Sequence, residues 1–121
     1  MGLIITGGIG TSETGVLGPG MCKLTNEDEA RKHSVITKAV HDAGGRICMQ
    51  TLHAGRQSYH PLNVSPSGKR SPIYPFPPQP MTVEMIEQEL NSWVNSAALA
   101  QHAGYDGIEI MGSEGYLINQ F

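Results

Sequence analysis

Arg46-Ile47-Cys48-Met49-Gln50-Thr51-Leu52-His53-Ala54-Gly55-Arg56 is the stretch on which the fold turns. Its first seven residues form a largely apolar run bounded by Gly44-Gly45 and Gly55, the pattern of a short strand. Working outward, Leu3-Ile4-Ile5 before Gly7-Gly8 and Asp106-Gly107-Ile108-Glu109-Ile110-Met111 are two further runs of the same kind. Between the first two, Thr25 is placed to cap a helix over 26–43, with Ile36, Ala39, Val40 and Ala43 at helical spacing and Gly44-Gly45 as its stop. Between the second and third, Thr82 is placed to cap a longer helix that carries Ile86, Leu90, Trp93, Val94, Ala97 and Ala100 and stops at Gly104. Glu27, Asp28 and Glu84 sit where negative charge favours a helix N-terminus. The order strand, helix, strand, helix, strand predicts an α/β fold of about three parallel strands and two helices, joined by right-handed crossovers.

The connections are unequal. Helix-to-strand turns take two or three residues, whereas strand-to-helix loops span 7–25 and 53–81, and loops that long are functional or disordered. Seven of the eight prolines fall between Pro61 and Pro80, which stiffens the second loop without making it regular. Chemistry is therefore expected beyond the strand ends, where both α/β barrels and open α/β sheets place their sites.

The 121 residues suffice for one small domain. A composition 39% hydrophobic and 16% charged, with a formal net charge of −3, argues against a disordered tail or a basic nucleic-acid binder. Arg31-Lys32 and Lys69-Arg70 are too short to make a basic patch. Cys22 and Cys48 lack metal or redox spacing, so reduced thiols in a cytoplasmic protein are expected. No apolar run reaches the roughly 18 residues of a membrane span.

Gly8-x-Gly10 lacks the third glycine of a dinucleotide motif, and Gly68-Lys69 is followed by arginine, so both nucleotide patterns fail. A turn needing positive φ is the plainer account of Gly7-Gly8; the alternative is that Gly8 lets a flat ligand approach the backbone. Gln50 is an amide in an apolar strand and needs partners, from neighbouring backbone or from a ring with alternating carbonyl and N–H groups. His53 and Arg56 stand at the mouth of that strand, placed to bind a carbonyl or an anion. Neither has a second ligand at metal spacing, and no bound metal is expected. Tyr116, just past the third strand, is either an amphipathic core residue or a proton donor, since a phenol of pKa about 10 stays protonated at neutral pH.

Leu3-Ile4-Ile5-Thr6-Gly7-Gly8, Gln50-Thr51-Leu52-His53-Ala54-Gly55-Arg56 and Ala103-Gly104-Tyr105-Asp106-Gly107 through Phe121, taken together, closely resemble the Old Yellow Enzyme family along essentially the whole chain. The resemblance implies part of a TIM (β/α)8 barrel with FMN across its top, and transfer of hydride from reduced flavin to an activated alkene. It implies that Gln50 binds the flavin pyrimidine edge, that Gly8 approaches the flavin through its backbone, and that Tyr116 donates the proton. Most of the family carries a histidine and an asparagine or second histidine, which grip the substrate carbonyl, where this chain has Met111 and Glu114. Met111-Gly112-Ser113-Glu114-Gly115-Tyr116-Leu117-Ile118-Asn119 instead resembles the bacterial 2,4-dienoyl-CoA reductase branch. His53, Arg56 and Glu114 are then the expected substrate contacts.

In that branch NADPH reduces an FAD, and electrons cross an iron-sulfur cluster to FMN; those groups are bound outside this chain. The resemblance also implies that residues 1–121 lack the family's first strand and the C-terminal half of the barrel, so the isolated chain is expected to be inactive, with unpaired edges. Its partner is expected to be a small enoyl or dienoyl thioester. The competing reading is a non-catalytic α/β module that binds a small anionic ligand at the three strand ends.

Overall fold

The computed structural model describes residues 2–121; Met1 lies outside the described residues. The chain runs β1 (Leu3–Ile5), β2 (Ile9–Gly10), α1 (Glu27–Asp42), β3 (Arg46–Leu52), β4 (Val64–Ser65), β5 (Gln79–Pro80), α2 (Val83–His102), β6 (Gly107–Ile110) and α3 (Leu117–Gln120). Strand β3 is the centre of a parallel sheet, with β1 and β2 on one side and β6 on the other. The three expected strands and two expected helices are present, and β2, the β4–β5 ladder and α3 are additions.

Strand β2 exists because the first strand does not end at Gly7-Gly8. Ile5 pairs with Cys48, and pairing resumes with Ile9 opposite Thr51, so one residue more lies on this side than on β3. That is a β-bulge. Thr6 fills the broken ladder: its N–H donates to Cys48 O at 3.1 Å, and its Oγ1 accepts from Gln50 N at 3.0 Å. Neither Gly7 nor Gly8 has positive φ, so the expected turn is replaced by this bulge.

Alternation along β3 sends Ile47 and Met49 into a core with Leu24, Ala30, Leu99 and Ala100. Full burial of a side chain such as Met49 contributes roughly 1.5–3 kcal/mol. Both helices stop as the sequence predicts. Gly44 and Gly104 take φ of 76° and 86°. Gly45 N donates to Val40 O and Tyr105 N to Ala100 O, so the two helix ends share one hydrogen-bonded closure. Thr82 caps α2, its side chain accepting from Met85 N. The expected Thr25 cap is wrong by one residue: Asn26 caps α1, accepting from Glu29 N, while Glu29 turns back to accept from Thr25 N and Oγ1.

The apolar stripes read from the sequence meet the sheet only in part, through Val40 and Ala100. Helix α1 buries Ala30 and Thr37, and leaves Ile36 54% exposed beside Val35 and Ala39. Helix α2 buries Ser96, Leu99 and Ala100, and leaves Leu90 and Val94 exposed. Each helix thus has one face on its own sheet and a second apolar face turned sideways. In a barrel, a helix packs on the sheet and on the helices either side of it, and the sideways faces suit the latter contact.

At the opposite end of the sheet, Asp106 Oδ2 accepts from Ile47 N at 2.9 Å and faces His41 Nε2 at 2.8 Å, while Oδ1 faces Arg46 at 3.2 Å. The His41 bond, then the Ile47 amide, hold its carboxyl below the ordinary value of 3.8. A depressed carboxyl adds stability above its unfolded pKa and loses it as pH falls through the folded value. Asp106→Asn is therefore expected to lower the urea midpoint at about pH 7, and the gap to the parent should close at about pH 3. An equal gap at both values would show that the charge does not matter.

Candidate functional site

The two long loops pack on each other over the carboxyl ends of β1, β2 and β3. Ala54 N donates to Gly15 O at 2.8 Å, Tyr59 N to Leu17 O at 2.8 Å, and His60 Nε2 lies 3.0 Å from Val16 O. Ser58, His60, Asn63 and Ser71 are buried, so the proline-rich segment is ordered by polar contacts.

Gln50 and Glu109 are partners in register on β3 and β6. By strand alternation they share the face turned away from the Ile47–Met49 core. Gln50 is half-buried, and among the described residues its side-chain amide has no hydrogen bond. Glu109 Oε2 is buried with no bonded partner. An unpaired buried polar atom costs about 1–3 kcal/mol, so this face is built for a donor-bearing occupant. Gly8 is explained partly by Leu52, whose Cδ1 would lie 3.0 Å from an added Cβ, whereas a Cβ on Gly7 would meet nothing within 4 Å.

His53 lies below the mouth of the strand. It is 1% exposed, and a Cβ on Gly15 would sit 2.8 Å from its ring. Gly55 N donates to its Nδ1 at 3.1 Å, which leaves the proton on Nε2. That nitrogen stands 3.4 Å from Glu89 Oε2, near enough for attraction but not aligned as a hydrogen bond, since neither atom has a bonded partner. Burial acts to raise the Glu89 carboxyl; His53, the Thr14 hydroxyl and Ser12 outweigh it and bring the carboxyl below its ordinary value. The pair ties helix α2 to the strand end and holds the His53 ring beneath the surface. Arg56 is better placed: it is part-exposed, its Nε is buried without a partner, and it joins no ion pair among the described residues.

Tyr116 caps the short helix α3 through its backbone, which is extended at φ −73° and ψ −179°. The ring is half-buried, and among the described residues its hydroxyl accepts and donates no hydrogen bond, unlike a satisfied core tyrosine. Burial first, then Tyr74 and Glu114, push its phenol above the ordinary value of 10. Glu114 is exposed and is the non-glycine residue with positive φ, at 63°. Leu117 N donates to His53 O at 3.0 Å, which pins the tyrosine loop to the end of β3.

The structure thus gathers Gln50, Arg56, Glu114 and Tyr116 at one end of the sheet and withdraws His53 beneath them. Sequence reasoning did not single out Glu89, Glu109 or Gln120. The signal for Glu89 was available: an acid between Ile86 and Trp93, at the spacing of the apolar stripe, is a polar residue where a core position is due.

A parallel sheet whose carboxyl ends collect an unpartnered amide, an orphan carboxylate oxygen and a free phenol marks a candidate ligand site of an α/β fold. The chain belongs to the NADH:flavin oxidoreductase / NADH oxidase family, whose sequence profile matches residues 1–121. It is 34% identical over 133 residues to 12-oxophytodienoate reductase-like protein 1 of Arabidopsis thaliana, covering 99% of this chain and 40% of that protein. It is 37% identical over 107 residues to the NADH oxidase of Thermoanaerobacter brockii, covering 83% of this chain and 16% of that one. The solved structure of the Old Yellow Enzyme homologue from Zymomonas mobilis matches 97% of the chain at 30% identity with a TM-score of 0.89, over 37% of its own length. The fold is accordingly part of a TIM barrel, as the resemblance implied. The chain spans 40% or less of each of these proteins.

Proposed function

We propose that this chain supplies part of the FMN site and the proton donor of an enzyme that reduces an activated C=C bond. The supporting observation is Tyr116: a half-buried phenol with a free hydroxyl, held above its ordinary pKa at the end of β6 and pinned to β3. The site residues fit FMN. The Gln50 amide, which donates and accepts, suits the pyrimidine edge, the Glu109 oxygen offers an acceptor beside it, and Gly7-Gly8 keep the bulge free of side chains.

FMN, when bound, supplies the hydride. Gln50 orients the ring, Gly8 lets backbone approach it, and Tyr116 Oη gives its proton to the neighbouring carbon as that carbon gains electron density. The phenolate left on Tyr116 is reprotonated from solvent. Arg56 and Glu114 flank the substrate. In the dienoyl reductase reading NAD(P)H is the electron source, and the FAD and iron-sulfur groups of that branch would be held outside these residues.

For the substrate, a 2,4-dienoyl-CoA thioester is our reading, supported by Met111 and Glu114 at positions where most of the family carries a carbonyl-gripping pair. A cyclic enone is the second reading, favoured by the 34% identity to the oxophytodienoate reductase-like protein.

Flavin titration tests the site, with the purified chain beside an extended protein carrying a full barrel. Gln50→Leu in whichever protein binds should weaken FMN by roughly 10- to 100-fold, since two hydrogen bonds of about 0.5–1.5 kcal/mol are lost. Binding by neither protein would favour the small-anion module instead, and an unchanged affinity in Gln50→Leu would remove Gln50 from the flavin site. Turnover of a dienoyl thioester against cyclohexenone then separates the two substrate readings.

A further inference from the structure

We propose that Gln120 is a positioning residue which fixes the Tyr116 loop against the turn at His53–Arg56, seated in the hollow left by Gly55. The proposal rests on the reading of Tyr116 as proton donor.

One side-chain amide joins two loops that are far apart in sequence. Gln120 Oε1 accepts from Arg56 N at 3.1 Å; Nε2 donates to Gly115 O at 2.7 Å and to Ala54 O at 3.4 Å. An amide has this capacity, one acceptor and two donors, whereas a carboxylate accepts only. The seat is shaped for it. Gly55 has φ of 58°, and a Cβ there would lie 2.2 Å from Gln120 Oε1 and 2.5 Å from Nε2.

The neighbouring side chain does a different task. Asn119 Oδ1 accepts from Gly115 N at 3.0 Å, and its Nδ2 donates to Gly112 O at 3.1 Å, closing the tyrosine loop on itself. Loop shape is thus set by Asn119, and loop placement by Gln120 together with the Leu117–His53 backbone bond. Loss of Gln120 should let the Tyr116 loop shift as a body without unfolding. A shift of about 1 Å in a reacting group costs up to about a hundredfold in rate.

The test uses the flavin-loaded full-length protein with Gln120→Glu, an isostere that keeps the Arg56 bond and turns both donations into repulsions, and Gln120→Ala. Alkene reduction should slow by on the order of tenfold to a hundredfold. Reduction of the bound flavin by a nicotinamide, and its reoxidation by a quinone, which needs no carbon protonation, should be unchanged. In the flavin-free protein, deuterium exchange should quicken at the Arg56 amide in Gln120→Ala and at the Leu117 amide in both variants, and stay the same at the Gly115 amide, which Asn119 holds. Unchanged alkene reduction overturns the proposal, as does a parallel fall in all three reactions, which would mark Gln120 as merely structural. Tyr116→Phe separates the two levels: if that variant reduces alkenes normally, the donor reading fails, while the exchange pattern still judges the clamp.

Discussion

Tyr116→Phe should cut alkene reduction by about a hundredfold or more while FMN remains bound. The substitution removes one oxygen and keeps the ring, so the packing that half-buries residue 116 survives. The hydroxyl has no hydrogen-bond partner among the described residues, so none is orphaned by its loss. A structural tyrosine would therefore give a nearly silent variant, and a proton donor a slow one. The pH dependence points the same way. Burial, Tyr74 and Glu114 hold the phenol above 10, so the parent enzyme should keep its donor protonated throughout the neutral range and lose activity only on the alkaline side. That alkaline limb should vanish in Tyr116→Phe. Stopped-flow reoxidation of the reduced enzyme by its alkene measures both, and a full rate in the variant would remove Tyr116 from the mechanism.

Gly55→Ala should cost about 2.5–6.5 kcal/mol of stability, the largest loss expected from adding a single methyl group here. About 1–2 kcal/mol comes from placing a side chain at positive φ. The rest comes from displacing Gln120, whose three hydrogen bonds contribute about 0.5–1.5 kcal/mol each. Gly44→Ala is the control: φ there is 76°, and an added Cβ meets nothing within 4 Å, so only the conformational part applies. If the account is right, the cost of Gly55→Ala in a Gln120→Ala background falls to that of Gly44→Ala. Equal costs for the two glycines in the parent protein would mean that Gln120 yields freely. Denaturant midpoints supply the comparison.

Local signals carried the fold well. The β3 run, the glycine stops at Gly44 and Gly104, and the Thr82 cap depend on a few adjacent residues, and each was legible in the chain. What was not legible depends on partners 36 to 42 positions away. The resumption of pairing at Ile9 is decided by Thr51, and the fate of His53 by Glu89 and Gly15. Ile36 and Leu90 look like core by spacing, yet both are exposed, on the side of the helix and not on the sheet beneath it. Gln50, Arg56 and Tyr116 could be picked out as candidates because they are polar residues at or beyond strand ends, whereas Glu114 came only from the family resemblance. Glu109 was hidden in an alternating strand, and Gln120 in a segment with no regular pattern before its terminal turn.

The extra residue at the β1–β2 bulge also joins two reading frames within one strand. Leu3 to Ile5 follow one inside–outside alternation and Ile9 follows the other, which is how Ile9 reaches the helix-side core at 5% exposure. The base of the strand and its mouth can therefore change composition independently: a substitution near the ligand end leaves the packing below it untouched. What cannot change is the bulge itself. If the same residues paired without it, Ile9 would slide opposite Leu52, turning toward the ligand and sending Gly10 to the core, a larger disturbance than any single substitution at those positions.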